Sequence, residues 1–168
     1  SFMAQVSDGF LTDVITVNVT VTPVNDAPLI TQGAGPLTKV VVEEGTVTWF
    51  ASELNATDSD TDDSTLMWSV VTNPSSGTAT VTGTGTAPTT FAYAPDDNFS
   101  GSDSFGAQVS DGFLTDVITV NVTVNPVDYP PVVTNSISEL IVPEDSPDWT
   151  IDLSNIFNDV DDANASIT

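Results

Sequence analysis

Residues 1–21 and 104–124 are one sequence apart from a single position. SFMAQVSDGFLTDVITVNVTV returns as SFGAQVSDGFLTDVITVNVTV, with Met3 against Gly106. A self-match at an offset of 103 residues marks a tandem array whose unit is the size of one small domain. The expected division is a C-terminal part of one repeat over 1–24, a complete repeat over 25–127, and an N-terminal part of the next over 128–168. The two partial repeats do not complete each other. Joined end to end, they would still lack the equivalents of Trp68 to Asp103.

Within the unit the pattern is strand and turn. From Asp13 to Thr22, Ile15, Val17, Val19 and Val21 alternate with Thr16, Asn18, Thr20 and Thr22, the period of two expected of a half-buried strand. Asp8-Gly9 and Asp111-Gly112 separate this strand from an apolar run before it, a hairpin signal. Lys39–Val42, Thr46–Phe50, Leu66–Thr72, Thr78–Val81 and Thr90–Tyr93 read as further strands. Pro74–Gly77 and Gly83–Gly85 read as turns between them. Ser52–Ala56 and Ser154–Phe157 have room for a single helical turn each. About seven short strands in roughly 100 residues predict an all-β fold, a chain of immunoglobulin-like antiparallel β-sandwiches. Trp49, Trp68 and Trp149 are expected in cores, beside strands. The units meet at Pro23–Pro28 and Asn125–Pro131, where proline fixes φ and makes the spacer stiff.

Charge narrows the partners. One base, Lys39, faces 24 acids with no His, Arg or Cys, a formal charge of -23. Such a surface repels nucleic acid and anionic membranes and suits multivalent cations. No apolar run approaches the ~20 residues of a membrane helix, so membrane insertion is not expected. Apolar content of 39% is enough for a packed core, and the acidity does not imply disorder.

The acids gather. Asp58-Ser59-Asp60-Thr61-Asp62-Asp63 has a counterpart in Asp159-Val160-Asp161-Asp162, and Glu43-Glu44 in Glu144-Asp145. Alternating Asp residues in an extended loop project hard oxygens ~6–7 Å apart, a spacing from which both can turn onto one Ca²⁺. Solvated, turn-forming Asp is the other reading of the same residues. The sequons at Asn18, Asn55, Asn98, Asn121 and Asn164 are mostly coincidences in a Thr- and Asn-rich chain.

The run Phe91-Ala-Tyr-Ala-Pro-Asp-Asp-Asn-Phe-Ser-Gly-Ser-Asp-Ser-Phe105, the Ser-Asp-Gly turn and the proline-bounded joint together resemble bacterial cadherin-like tandem repeats of giant surface adhesins and fibre proteins. The resemblance implies calcium at the joints. Asn25 and Asp26 would supply linker ligands at the first, with Asp58, Asp60 and Asp111 from the following domain. Glu44, Asp128, Asp159 and Asp161 would serve the second. The sequence departs from the cadherin pattern at Pro23, Ala27 and Tyr129. It also lacks the Asp-Arg-Glu motif, for which Asp97 and Asp103 are the available substitutes.

The expected function is therefore structural and adhesive: an extracellular, secreted or cell-surface bacterial repeat forming a stiff rod or fibre with calcium-rigidified joints. Its partners would be neighbouring repeats of the same chain, laterally associated copies of itself, and a glycan or protein at a distal site. A calcium-dependent polysaccharide-binding module is the alternative and needs exposed aromatics on one face. An enzyme is not expected. Without His, Cys or Arg, only a carboxylate pair is available, and near-identical repeats give it no unique cleft.

Overall fold

The computed structural model describes residues 1–161 apart from Ala34, Leu140, Trp149 and Ser154, so the readings at Trp149 and Asn164 fall outside the described residues. In chain order the strands are β1 (Phe2–Ser7), β2 (Thr12–Val17), β3 (Leu29–Ile30), β4 (Leu37–Val42), β5 (Val47–Thr48), β6 (Ala56–Thr57), β7 (Met67–Thr72), β8 (Gly77–Thr84), β9 (Thr90–Pro95), β10 (Gly101–Ser110), β11 (Thr115–Asn125), β12 (Val132–Val133) and β13 (Phe157–Asn158). Single 3-10 turns cover Ala51–Glu53 and Asp63–Thr65.

Seven strands form one hydrogen-bonded run in the order β4-β11-β10-β7-β8-β9-β5. β8 is the hinge of that run. Residues 77–82 pair with β9, whereas Gly83 and Thr84 cross to Trp68 and Met67 of β7. The Gly83–Gly85 segment, expected as a turn, is thus the place where the sheet folds over. Gly83 has φ 126, and an added Cβ would stand 2.5 Å from the Thr89 nitrogen, so only glycine fits. All pairings are antiparallel except β4 with β11, which run parallel from Leu37↔Val120 to Val42↔Asn125. A short pair, β3 with β6, closes the far side.

Both halves of the folded run face one core. β11 contributes Ile118, Val120, Val122 and Val124; β10 gives Phe105, Ala107 and Val109; β9 gives Phe91 and Tyr93. These are alternate residues, as the period of two requires. Tyr93 stacks on Phe105 at 6.2 Å, and Phe91 meets Phe105 edge-on at 6.3 Å. Trp49 leans on Phe91 at 4.7 Å, and the buried Trp68 donates its indole N–H to the Gly85 carbonyl at 2.9 Å. Lys39 Nζ lies 2.7 Å from Glu53 Oε1 and 5.7 Å from the Trp49 ring centre. The chain's one basic side chain is committed to the edge of this core.

The repeated sequence takes two environments. β1 pairs with β2 in the register of β10 with β11: Phe2↔Val17 matches Phe105↔Val120. Yet Phe2 is 57% exposed and Ile15 65%, where Phe105 and Ile118 are 1% and 4%. β2 ends at Val17, although the equivalent of Val17 lies in mid-strand in β11. At the other end, β12–β13 repeats β3–β6, with Val133↔Phe157 answering Ile30↔Ala56.

This contrast sets an internal control for core energetics. In the 168-residue chain, Phe105→Ala should lower unfolding stability in urea by about 3–5 kcal/mol. Phe2→Ala, the same substitution in the first copy, should cost under about 0.5 kcal/mol. Comparable losses at the two sites would mean that β1–β2 is packed as β10–β11 is.

Candidate functional site

The first joint is built by two loops that meet the linker. The β10–β11 turn is shaped by Asp111, whose Oδ1 accepts the Phe113 and Leu114 amides at 2.6 Å each, while Gly112 takes φ 100. The other Asp111 oxygen accepts Asn25 Nδ2 at 2.7 Å. The segment after β6 is an Asx turn: Asp58 Oδ1 accepts the amides of Asp60 and Thr61 at 3.0 Å. That turn presents Asp60 to the linker, where it accepts the Asp26 amide at 3.2 Å, and Ser59 donates its hydroxyl to Asp26 Oδ2 at 2.9 Å. Asn25, Asp26, Asp58, Asp60 and Asp111 are thereby one connected group.

The electrostatics carry the strain of that gathering. Asp60 sits above the ordinary carboxylate range, through desolvation first and then through Asp58 and Asp26, with the Asp26 amide opposing them. Asp58 is held low by the amides of Asp60 and Thr61 despite the charge of Asp111. Asp111 is held low chiefly by the Asn25 side chain. Asp58 Oδ2 is buried and has no hydrogen-bond partner. Among the described residues, no three acidic side chains are grouped closely enough to hold a metal ion as they stand. Carboxylate oxygens are the donors a hard cation would take, and one of them here, Asp58 Oδ2, is unpartnered.

The second joint repeats the scaffold with a different centre. Asp159 Oδ1 accepts the Asp161 amide at 3.2 Å, as Asp58 does for Asp60. Asp161 accepts the amide of Tyr129 at 2.9 Å, as Asp60 does for Asp26. Glu44 turns at φ 57 and accepts the Tyr129 hydroxyl at 3.2 Å. Asp128 is exposed, and the contacts here run through its neighbours Val127 and Tyr129. The Val127 amide is taken at 2.8 Å by Glu43, a buried acid. Sequence reasoning gave the glutamate role to Glu44. The alternation along β4, which buries Val41 and Glu43 but exposes Val42 and Glu44, was the available signal for Glu43.

Asp103 is a brace within the sandwich. Its two oxygens accept the Ser75, Ser76 and Ser104 amides and the Tyr93 hydroxyl, all between 2.8 and 3.0 Å. Asp97 is exposed. A groove of about 530 Å³ runs past Thr38, Ser102, Asp103, Asn121 and Thr123, and Asp103 is the one acid among its lining residues. It therefore offers no carboxylate pair. Among the described residues, the exposed aromatics Phe10 and Phe113 lie at the two hairpin tips, Phe50 beside the first 3-10 turn and Phe2 on β1. They do not share a strand face.

Comparison with known proteins now identifies the sandwich. Residues 25–123 match the model of the bacterial Ig domain. The chain belongs to that family. No curated protein matches it. Among solved structures, an endo-fucoidan hydrolase of glycoside hydrolase family 107 is similar, with 20% identity and a TM-score of 0.48 over 79% of this chain. The five-domain extracellular region of protocadherin gamma B2 is similar at 18% identity and 0.46 over 90%. The bacterial Ig chain spans only 20% and 29% of those proteins. No helix among the described residues is long and apolar enough to cross a membrane.

Asp103 gives this Ig domain a testable acid dependence. Burial works to raise its carboxyl, but hydrogen bonds from Ser75, Tyr93, Ser76 and Ser104 outweigh burial and hold it below 3.8. A depressed folded-state value means the stabilisation is present above about pH 4 and is lost as pH falls through the folded value. Asp103→Asn should therefore destabilise the chain by about 1–3 kcal/mol at pH 7. The gap should narrow below about pH 4, read from urea midpoints across pH. A gap constant down to pH 2 would remove Asp103 as the acid-sensitive brace.

Proposed function

We propose that this chain is a spacer segment of an extracellular, cell-surface bacterial protein, whose sandwiches stack into a stiff rod, and that calcium rigidifies the joint at Asn25–Asp26. Bacterial Ig domains are typically extracellular structural or adhesive modules, which sets the class. The observation that carries the finer reading is the capture of the linker by the following domain. Asn25 donates to Asp111 and the Asp26 amide to Asp60, so linker and sandwich are fastened at two points before any ion is considered.

Calcium would add charge compensation. Asp60 feels the charges of Asp58 and Asp26, and Asp58 that of Asp111; drawn to ~4 Å, like charges repel by about 1 kcal/mol per pair even at water's dielectric. A divalent cation supplies what those groups lack and takes six to eight oxygens. Asp58 Oδ2 is available for it. Asn25, whose amide nitrogen faces Asp111, would have to turn its oxygen inward to join. Proline at 23 and 28 limits the linker's freedom on either side of the cluster.

Limited proteolysis tests the reading. With calcium, cleavage near Asn25–Asp26 should slow on the order of tenfold relative to chelator, equivalent to about 1.4 kcal/mol of added docking. In Asp58→Asn with Asp60→Asn the slowing should disappear while the urea midpoint of the sandwich is kept. Equal cleavage of the unmodified chain with and without calcium would leave a joint stiffened by proline and hydrogen bonds alone.

A further inference from the structure

The two joints share a scaffold but not a centre: the linkers differ at three positions, Asn25 against Asp128, Asp26 against Tyr129 and Ala27 against Pro130. Asp26 in the first corresponds to Tyr129 in the second. Where Asp26 brings another negative charge toward Asp60 and Asp58, Tyr129 brings a neutral hydrogen-bond donor toward Glu44. The second joint keeps a linker carboxylate at Asp128, but the position that offers a carboxylate oxygen in Asp26 offers an O–H here, and Tyr129 is half-buried.

We propose that Tyr129 is a built-in tie that fastens the second joint without a metal, in the place where the first joint presents the carboxylate of Asp26. The residue reaches both bodies at once. Its amide donates to Asp161 Oδ2 at 2.9 Å, on the segment after β13, and its hydroxyl donates to Glu44 Oε2 at 3.2 Å, in the turn after β4. One residue thus bridges the two carboxylates, with its hydroxyl on the central sandwich and its main-chain amide on the following segment, which is the geometric task of a bridging ion.

The surroundings support the assignment independently. Pro126, Pro130 and Pro131 flank the residue, so its position is set by a stiff backbone rather than by a mobile loop. Glu43 takes the Val127 amide at 2.8 Å and anchors the segment two residues earlier. A phenol is protonated at neutral pH and able to donate. A hydrogen bond to a charged acceptor is also stronger than a neutral one.

The tie does not depend on whether the first joint binds calcium, and one experiment reads the two apart. Residue-resolved amide exchange is measured on the full chain, in chelator and in millimolar calcium, for the unmodified protein, Tyr129→Phe and Tyr129→Asp. In chelator, the amides of Val127 and Tyr129 should be protected, and calcium should change neither. Tyr129→Phe keeps the ring and removes the hydroxyl. It should speed exchange at position 129 on the order of 3- to 10-fold while the core amide of Val120 is unmoved. Tyr129→Asp should lose protection in chelator and regain it in calcium. The proposal is overturned if the Tyr129 amide exchanges like an unfolded peptide in chelator, if Tyr129→Phe exchanges as the unmodified chain does, or if Tyr129→Asp stays protected in chelator. The Asp26 amide in the same spectra reports on the first joint alone. Its indifference to calcium would remove the cation reading there and leave the tie at Tyr129 standing.

Discussion

The parallel pairing of β4 with β11 is the constraint on which the rest of the sandwich depends. A hairpin with an apolar stripe is marginal by itself, and the chain contains that hairpin twice. Without a third strand beside it, β2 stops at Val17 and its stripe faces solvent. With β4 alongside, β11 runs to Asn125 and buries Val120, Val122 and Val124 almost completely. The same pairing fixes the second joint. It ends at Val42↔Asn125, so the next residue, Glu43, donates its amide to the Asn125 carbonyl and reaches the Val127 amide with its carboxylate. The first joint is set at the opposite end of the same strand, where the Asp111 turn enters β11 and Asp116 accepts the Ile30 amide at 2.8 Å. One strand therefore positions both ends of the domain relative to the linkers.

How much of this is legible in sequence follows from how local each cause is. The all-β class, the β10–β11 hairpin and the Ser-Asp-Gly turn are local, and the structure has them where the period of two and the turn chemistry place them. Lengths are another matter. Identical residues give a 6-residue strand in β2 and an 11-residue strand in β11, because strand length here is decided by neighbours. Thr46–Phe50 shrinks to Val47–Thr48, and Gly83–Gly85 is a sheet crossing rather than a simple turn. The candidate acids divide the same way. Asp58 and Asp60 were visible as a pair and do meet the linker, since an Asx turn is encoded within four residues. Glu43 and Asp103 are visible as acids in the sequence, but what they hold is not, because Val127 and Tyr93 lie on other elements.

A chain of 24 acids and one base might be read as a charged coat, but many of these acids serve the backbone. Asp8, Asp58, Asp62, Asp103, Asp111, Asp116 and Glu43 each accept at least one main-chain amide, mostly across a turn or between a loop and a strand. An amide at a turn has lost its strand partner and must find another acceptor. A short acidic side chain supplies one with a charge-assisted bond. Lys or Arg cannot do this, having donors only. Part of the acidity is thus the cost of building short strands and tight turns, and charge alone is weak evidence of a ligand.

That argument sharpens the contrast between the joints. Where each acid already has amide donors, gathering acids costs little; where a carboxylate oxygen is left over, repulsion remains to be offset. At the first joint Asp58 keeps an unpartnered oxygen while Asp60 is pushed up, by desolvation first and then by Asp58 and Asp26. At the second, Asp161 is also pushed up, first by its hydrogen bond with Asp159, but Tyr129 meets it with an amide and meets Glu44 with a hydroxyl. Two joints with one scaffold thus meet the same crowding differently, the first with an unpartnered carboxylate oxygen and the second with the amide and hydroxyl of Tyr129. On the reading proposed above, the stiffness of a joint would follow from whether Asp or Tyr stands at this linker position, and two joints of one chain would differ in it.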